Sequence, residues 1–288
     1  MKLFINKRNL NLLKFVLMKE KDRIMVTKQA EEVAIIIFAY EGFEDIWPIF
    51  FNRIKKYWSD VPFKVYFASS KPIETDFDFI FLKVDKEKTW TERLCSALNE
   101  IESKYVLLLL EDWLITKNVD STKIEDVTNF IEKNKILYYK FFLPSFSSNY
   151  EKNFSIDSNR YHIDENRRYG ISIQPSIWNK EYLISLLENL KIDAWQFEKE
   201  LDNMNLIDEK SRKKYIFDKR NLLNLTHALR KGKYTRSVYK KIKKEDNEYL
   251  SRKQMGIAET VILKIKQIIR QLFPQVLRKG RKNYDNEK

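Results

Sequence analysis

Two adjacent carboxylates close an apolar run. Residues Leu107–Trp113 read LLLLEDW, with Glu111 and Asp112 directly after four leucines and Trp113 behind them. A strand of that composition is buried, and isolated desolvated carboxylates at its end are costly. A divalent cation bridging a diphosphate would supply the counter-charge and offset negative charge developing on a leaving group. The alternative is a structural pair, with Glu111 capping the following turn and Asp112 meeting a Lys or Arg. One cysteine, Cys95, and two histidines, His162 and His227, are too few soft ligands for a zinc cluster. Any metal is therefore expected to be a hard cation held by carboxylates. A lone Cys95 also forms no internal disulfide, which suits a reducing compartment.

The acidic pair needs a frame. Val33–Ala39 is a continuous apolar run of strand length, the pattern of a strand buried on both faces, and Glu41-Gly42 breaks it. Phe43–Trp58 reads as a helix with Ile46, Trp47, Phe50 and Ile54 on one face. Phe63–Ala68 and Phe79–Val84 read as strands, Thr89–Ser103 as a helix and Tyr105–Leu110 as a fourth strand. Strands alternating with helices imply right-handed βαβ units and a parallel sheet. Ligands of such sheets bind beyond the carboxyl ends of the strands. Tyr40–Gly42, Ser69-Ser70 and Glu111-Asp112 fall at that edge. Further on, helices are expected at Ile124–Lys133, at Asn179–Leu190 with Asn179 as cap, at Ala194–Leu201 and at Gly256–Phe273. Strands are expected at Leu137–Leu143 and Gly170–Ile173, around a polar loop at Pro144–Arg168. Leu222–Tyr234 fits neither pattern clearly.

Order and motifs together resemble the nucleotide-binding half of GT-A glycosyltransferases. Trp90-Thr91-Glu92-Arg93-Leu94 leading into Tyr105–Asp112 is similar to bacterial capsule and lipopolysaccharide enzymes of that kind, with Glu-Asp-Trp where they carry Asp-x-Asp. The resemblance implies an α/β fold with a mixed, mainly parallel sheet flanked by helices. It implies Mn²⁺ or Mg²⁺ at Asp112, with Glu111 and His227 as further ligands, although the altered motif leaves a metal-independent enzyme open. Tyr40, Glu41, Ser69, Ser70, Arg93 and Glu111 would lie along the nucleotide sugar, a UDP-sugar by expectation. Glu198, in Ala194–Glu198 (AWQFE), would be the catalytic base, its pKa raised by a partly apolar setting. Trp195, Trp113 and Gln174, the last within GISIQPSIW, would face the acceptor. An ordinary amphipathic helix would instead pack Trp195 and Phe197 and leave Glu198 in water.

The net charge of +13 is unevenly spread. From Lys210 to Lys288 there are 24 basic and 7 acidic residues, a net of +17, whereas the first 209 residues sum to −4. Such a tail seeks polyanions. A nucleic-acid site would interleave basic residues with exposed aromatics. Here Ile257, Val261, Ile262, Ile265, Ile268, Ile269 and Leu272 form one helical stripe flanked by Lys264, Lys266 and Arg270. With Arg278–Lys282 it reads as an interfacial helix for anionic lipid, and no nucleic-acid partner is expected. No apolar run nears the roughly 20 residues that span a bilayer, and Met1–Arg23 lacks a signal-peptide pattern. The expected arrangement is an N-terminal extension (1–31), a catalytic domain (32–235, its donor half 32–118 and acceptor half 119–235) and a basic helical extension (236–288). The expected location is the cytoplasm, peripheral at the inner face of the cell membrane. The function read here is sugar transfer to a lipid-linked or polysaccharide acceptor in cell-surface glycan synthesis, by inversion. A non-catalytic scaffold of a polysaccharide assembly and a nucleic-acid binder are the competing readings.

Overall fold

Apolar side chains on both pleat faces make β1 (Val33–Phe38) a wholly buried strand. Ile35 and Ile37 enter one core layer and Ala34, Ile36 and Phe38 the other. The computed structural model describes residues 32–141, 153–164 and 170–272. The extension 1–31, most of the Pro144–Arg168 loop flanks and the chain past Leu272, with its Arg278–Lys282 cluster, lie outside the described residues.

β2 (Lys64–Ser69), β3 (Ile80–Lys83) and β4 (Tyr105–Leu110) run parallel with β1. Beyond β4 come β8 (Ser176–Asn179), β6 (Tyr138–Phe141), β9 (Tyr215–Asp218) and β7 (Arg160–His162). The eight-stranded order is β3-β2-β1-β4-β8-β6-β9-β7. β8 is antiparallel to both neighbours, so β6 and β9 again point the same way as β4. The expected mixed, mainly parallel α/β sheet is present, and its carboxyl edge gathers strand ends from both halves.

Helices cover both faces. α1 (Trp47–Tyr57) follows a 3₁₀ turn at Glu41–Ile46, and Pro48 sits in its first turn. The single helix expected at Phe43–Trp58 therefore starts later, because the proline favours a fresh helix start. α2 (Trp90–Asn99) opens with a capping box between Thr89 and Glu92, and α5 (Ala194–Asn203) with one between Asp193 and Gln196. α3 spans Ser121–Asn134 and α4 spans Lys180–Leu187, the latter capped by Asn179 as expected.

Other segments depart from the sequence reading or complete it. Gly170–Ile173 is not a strand: the Tyr138 hydroxyl bonds the Ser172 backbone, and the extended segment starts later, at Ser176 after Pro175. Leu222–Tyr234 resolves into short strands β10 (Leu225–His227), β11 (Leu229–Arg230) and β12 (Lys233–Tyr234). β10 pairs with β5 (Trp113–Ile115), which directly follows the acidic pair. The first part of the C-terminal extension packs against the sheet layer. α6 (Arg236–Glu245) buries Val238 and Ile242 in the α1 layer, and Asp246 meets buried Arg53 at 2.7 Å. α7 (Ile257–Leu272) begins beyond it.

Candidate active site

The antiparallel pairing of β5 with β10 sets Trp113 opposite His227, and the Ala228 amide donates to the Asp112 carbonyl at 2.7 Å. Those backbone bonds bring Asp112 and His227, 115 residues apart, side by side: Oδ2 and Nε2 are 2.7 Å apart. The Trp113 ring lies 5.0 Å from the imidazole, centroid to centroid. Asp112 Oδ1 and His227 Nδ1 are buried without a hydrogen-bond partner. Each side chain thus keeps one polar atom that the described fold does not satisfy.

Glu111 has the opposite disposition. It is 4% exposed and its Oε1 accepts from the Tyr40 amide at 3.1 Å, tying the end of β4 to the end of β1. Burial, reinforced by Asp112 beside it, pushes its pKa up to about 8. The carboxyl thus supports the loop after β1, and its metal-ligand role is not what its contacts favour. Tyr40 itself is 57% exposed, the wall of the site most open to solvent on this side.

The other donor-side residues form a closed network. Glu41 accepts from the Ser70 amide at 2.8 Å and from the Arg93 guanidinium at 2.6 Å. Burial opposes its charge, yet these donors hold its pKa below the ordinary value. Arg93 is only 7% exposed and directed at Glu41, so it shapes the loop between β1 and β2 instead of pointing at a diphosphate. Ser69 is fully buried and its hydroxyl donates to the Lys71 carbonyl. Of the two serines, Ser70 alone keeps an accessible position.

On the acceptor side, Glu198 is half-buried one turn into α5. Burial raises its pKa; the Lys140 charge, the Ile173 amide and His227 pull the other way, and Asp202 adds to the rise. Lys140, at the end of β6, is 1% exposed and donates to Ser172 Oγ at 2.9 Å. Segment 172–173 thus touches the lysine through one residue and the glutamate through the next. Trp113 and Gln174 line one narrow cleft with Phe141, Pro175, Asn221 and Leu225. Trp195 does not join them; it is 75% exposed at the start of α5.

Sequence reasoning missed Lys140 and Asp218. The first hides inside an apolar run, LYYKFFL, and nothing local marks it. The second had a signal: YIFD ends an apolar run on an acid, as LLLLED does. Asp218 is fully buried, accepting from Tyr139 Oη at 2.6 Å and from the Arg220 fork. It anchors the turn that carries Asn221 into the cleft.

A divalent cation can be tested against this donor set. Among the described residues no group of three or more His, Cys, Asp or Glu side chains is gathered as a metal site. Asp112 and His227 bond each other through Oδ2 and Nε2, and Asp112 Oδ1 is left without a hydrogen-bond partner. An oxygen of that kind suits a hard cation whose other positions go to phosphate oxygens and water, with His227 joining only by giving up its bond to the carboxylate.

No protein-family model matches the chain. No curated protein matches it either. Among solved structures it is similar to S. aureus TarS, at 13% identity and a TM-score of 0.41 over 65% of this chain and 36% of that one. A TarS 1–349 complex with UDP-GlcNAc gives 15% identity and a TM-score of 0.35 over 55% and 47%. A CMP:2-keto-3-deoxy-manno-octonic acid synthetase complexed with CTP gives 11% and 0.41 over 65% and 88%. The match spans about a third to a half of the TarS chains. Superpositions this loose carry no argument, and the chemistry rests on the chain's own residues.

Proposed function

We propose that the chain is a nucleotide-sugar-dependent glycosyltransferase of the GT-A kind, acting on a lipid-linked or polysaccharide acceptor in cell-surface glycan synthesis. The observation that carries this reading is the meeting of Asp112 and His227 at the carboxyl edge, with Glu198 within electrostatic reach of His227. Tyr40, Glu41 and Ser70 form the nucleoside end of the donor site, shaped by Glu111 and Arg93 from behind. Asp112 and His227 would hold Mn²⁺ or Mg²⁺, which when bound neutralises the diphosphate and stabilises it as a leaving group. Glu198, ionised, accepts the proton of the acceptor hydroxyl as that oxygen attacks the anomeric carbon, giving inversion. Trp113 and Gln174 face the acceptor from the rim of the narrow cleft, and exposed Trp195 offers a stacking face further out.

Melting temperature measured with UDP, GDP, CMP and dTDP, with and without Mn²⁺, tests this reading, because a ligand of the native state raises it by mass action. A shift specific to one nucleotide, dependent on Mn²⁺ and lost in Asp112→Ala, is expected. No shift with any of the four sinks the transferase. A shift indifferent to Mn²⁺ keeps the transferase and removes the metal from Asp112.

The membrane reading belongs with it. Among the described residues no helix is long and apolar enough to cross a bilayer. On α7, Ile257, Val261, Ile262 and Ile265 are 48–69% exposed, an uncovered apolar stripe on a basic segment. Sedimentation with anionic vesicles, weakened by Ile262→Glu and absent with neutral vesicles, is the expected outcome.

A further inference from the structure

The loop that follows β1 is held from outside by a residue more than two hundred positions away. Arg252 donates through Nε to Asp45 Oδ2 at 2.7 Å, and through Nη2 to Asp45 Oδ1 at 2.5 Å and to the Gly42 carbonyl at 2.6 Å. Its guanidinium also stacks 4.8 Å from the Phe43 ring centroid, and Ser251 adds a hydroxyl to Asp45. Phe43 in turn meets Tyr40 edge-on at 5.6 Å. The Tyr40 ring packs against Gly42, where an added Cβ would come within 2.2 Å of it. One planar cation therefore fixes three residues of the loop beside an exposed aromatic, Gly42, Phe43 and Asp45, a task suited to the rigid fork of arginine.

The segment bearing Arg252 is itself anchored. Tyr234 donates its amide to the Lys253 carbonyl at 3.0 Å, and the Met255 amide donates back to the Tyr234 carbonyl at 2.9 Å. Met255 is buried, and Tyr234 ends the hairpin that starts two residues after His227. The strap thus bridges the His227 hairpin and the Tyr40 loop, the two walls that flank the acidic pair. Burial opposes the charge of Asp45, but Arg252 and Ser251 outweigh it and keep its pKa below the ordinary value.

We propose that Arg252 is a positioning residue for the donor: the C-terminal segment Leu250–Gly256 holds Tyr40 and Phe43 in the arrangement that receives the base of a nucleoside diphosphate. The inference rests on the nucleotide reading of Tyr40 given above. It assigns to the basic C-terminal region a part in catalysis that is separate from attraction to lipid. An aromatic that stacks a base contributes about 1–3 kcal/mol, and it does so only if its ring is held in place before the ligand arrives.

Isothermal titration of the full chain with the nucleotide found by the melting panel tests it. Arg252→Ala is expected to raise Kd at least about tenfold, equivalent to about 1.4 kcal/mol. Arg252→Lys keeps the charge without the fork and recovers part of the loss. Gly42→Ala, which displaces the Tyr40 ring from the other side, weakens binding similarly. Val238→Ala, a buried residue of the same C-terminal region outside the contacts of Arg252 with Gly42, Phe43 and Asp45, lowers the melting temperature yet leaves Kd unchanged. Unchanged affinity in Arg252→Ala overturns the proposal, as does an equal loss in Val238→Ala, since instability alone would then explain the effect. If the wild-type chain binds none of UDP, GDP, CMP and dTDP, the donor reading itself fails and the role of Arg252 goes with it.

Discussion

In the β3-β2-β1-β4 half of the sheet, most polar groups of the site lie within three residues of a strand end: Tyr40 and Glu41 after β1, Ser70 after β2, Glu111 and Asp112 after β4. In the β8-β6-β9-β7 half the groups arrive from separate elements: Lys140 within β6, Ser172 and Gln174 from an irregular bend, Asp218 from β9, and Glu198 from a helix outside the sheet. The first half closes its hydrogen bonds among near neighbours in space, with Glu41 serving both Ser70 and Arg93. The second closes its own across similar sequence distances, Tyr138 and Lys140 to Ser172, but between a strand and an irregular bend. Parallel βα units build a binding edge as a by-product of their topology. A mixed half must assemble its edge from side chains, and that is where a charge can be tuned by groups of independent origin.

The largest effect expected from this contrast falls on Glu198. Glu198→Gln keeps the shape and removes the base, so turnover should fall by about a hundredfold to ten-thousandfold, with nucleotide affinity unchanged. A comparable loss of nucleotide affinity would mean that the two halves are not functionally separate. Next comes Arg53→Met on the opposite side of the sheet. It leaves Asp246 buried without its cation and should cost about 3–5 kcal/mol of stability, read by denaturant unfolding.

Lys140 sharpens the comparison through pH. A general base works ionised, and burial raises the pKa of Glu198 while Lys140, the Ile173 amide and His227 restrain it against Asp202. Transfer activity should therefore be present above the folded-state pKa of Glu198 and be lost as pH falls through it, at a pH above the ordinary carboxylate value. Lys140→Met, which removes the restraint, should move that acid limb to higher pH and leave nucleotide affinity alone. An unmoved limb would separate Lys140 from the base and leave it as a support for Ser172.

The same contrast explains what could be read from the sequence. Periodicity exposed Val33–Phe38, Lys64–Ser69 and Tyr105–Leu110 because buried parallel strands are continuous apolar runs. The acidic pair was visible because it terminates one of them. Ser176–Asn179 was displaced in the reading because Gly170–Ile173 is equally apolar, and only the distant Tyr138 hydroxyl decides which segment pairs. The sequence places Arg93 along the nucleotide sugar, but its partner Glu41 lies 52 residues earlier, and no local pattern announces the pair. α6 went unread since its apolar stripe is thin, and its place is set by Arg53 and Asp246 across the core.

The smallest expected effect compares two equivalent devices, one on each side. α2 and α5 both open with reciprocal capping boxes, at Thr89–Glu92 and Asp193–Gln196. Replacing either cap by alanine should cost about 1 kcal/mol. Their consequences for function should differ. Thr89→Ala loosens a helix whose Arg93 is still fixed by Glu41, and whose Thr91 still bonds the Leu190 carbonyl at 2.7 Å. Turnover should hardly change. Asp193→Ala loosens the first turn of the helix that carries Glu198 five residues on, where the Ile173 amide is the main fixed hydrogen-bond partner of the carboxylate. Turnover should fall more than stability predicts, with nucleotide affinity intact. If both caps affect turnover equally, the base is no more sensitive to its supporting helix than the donor loop is.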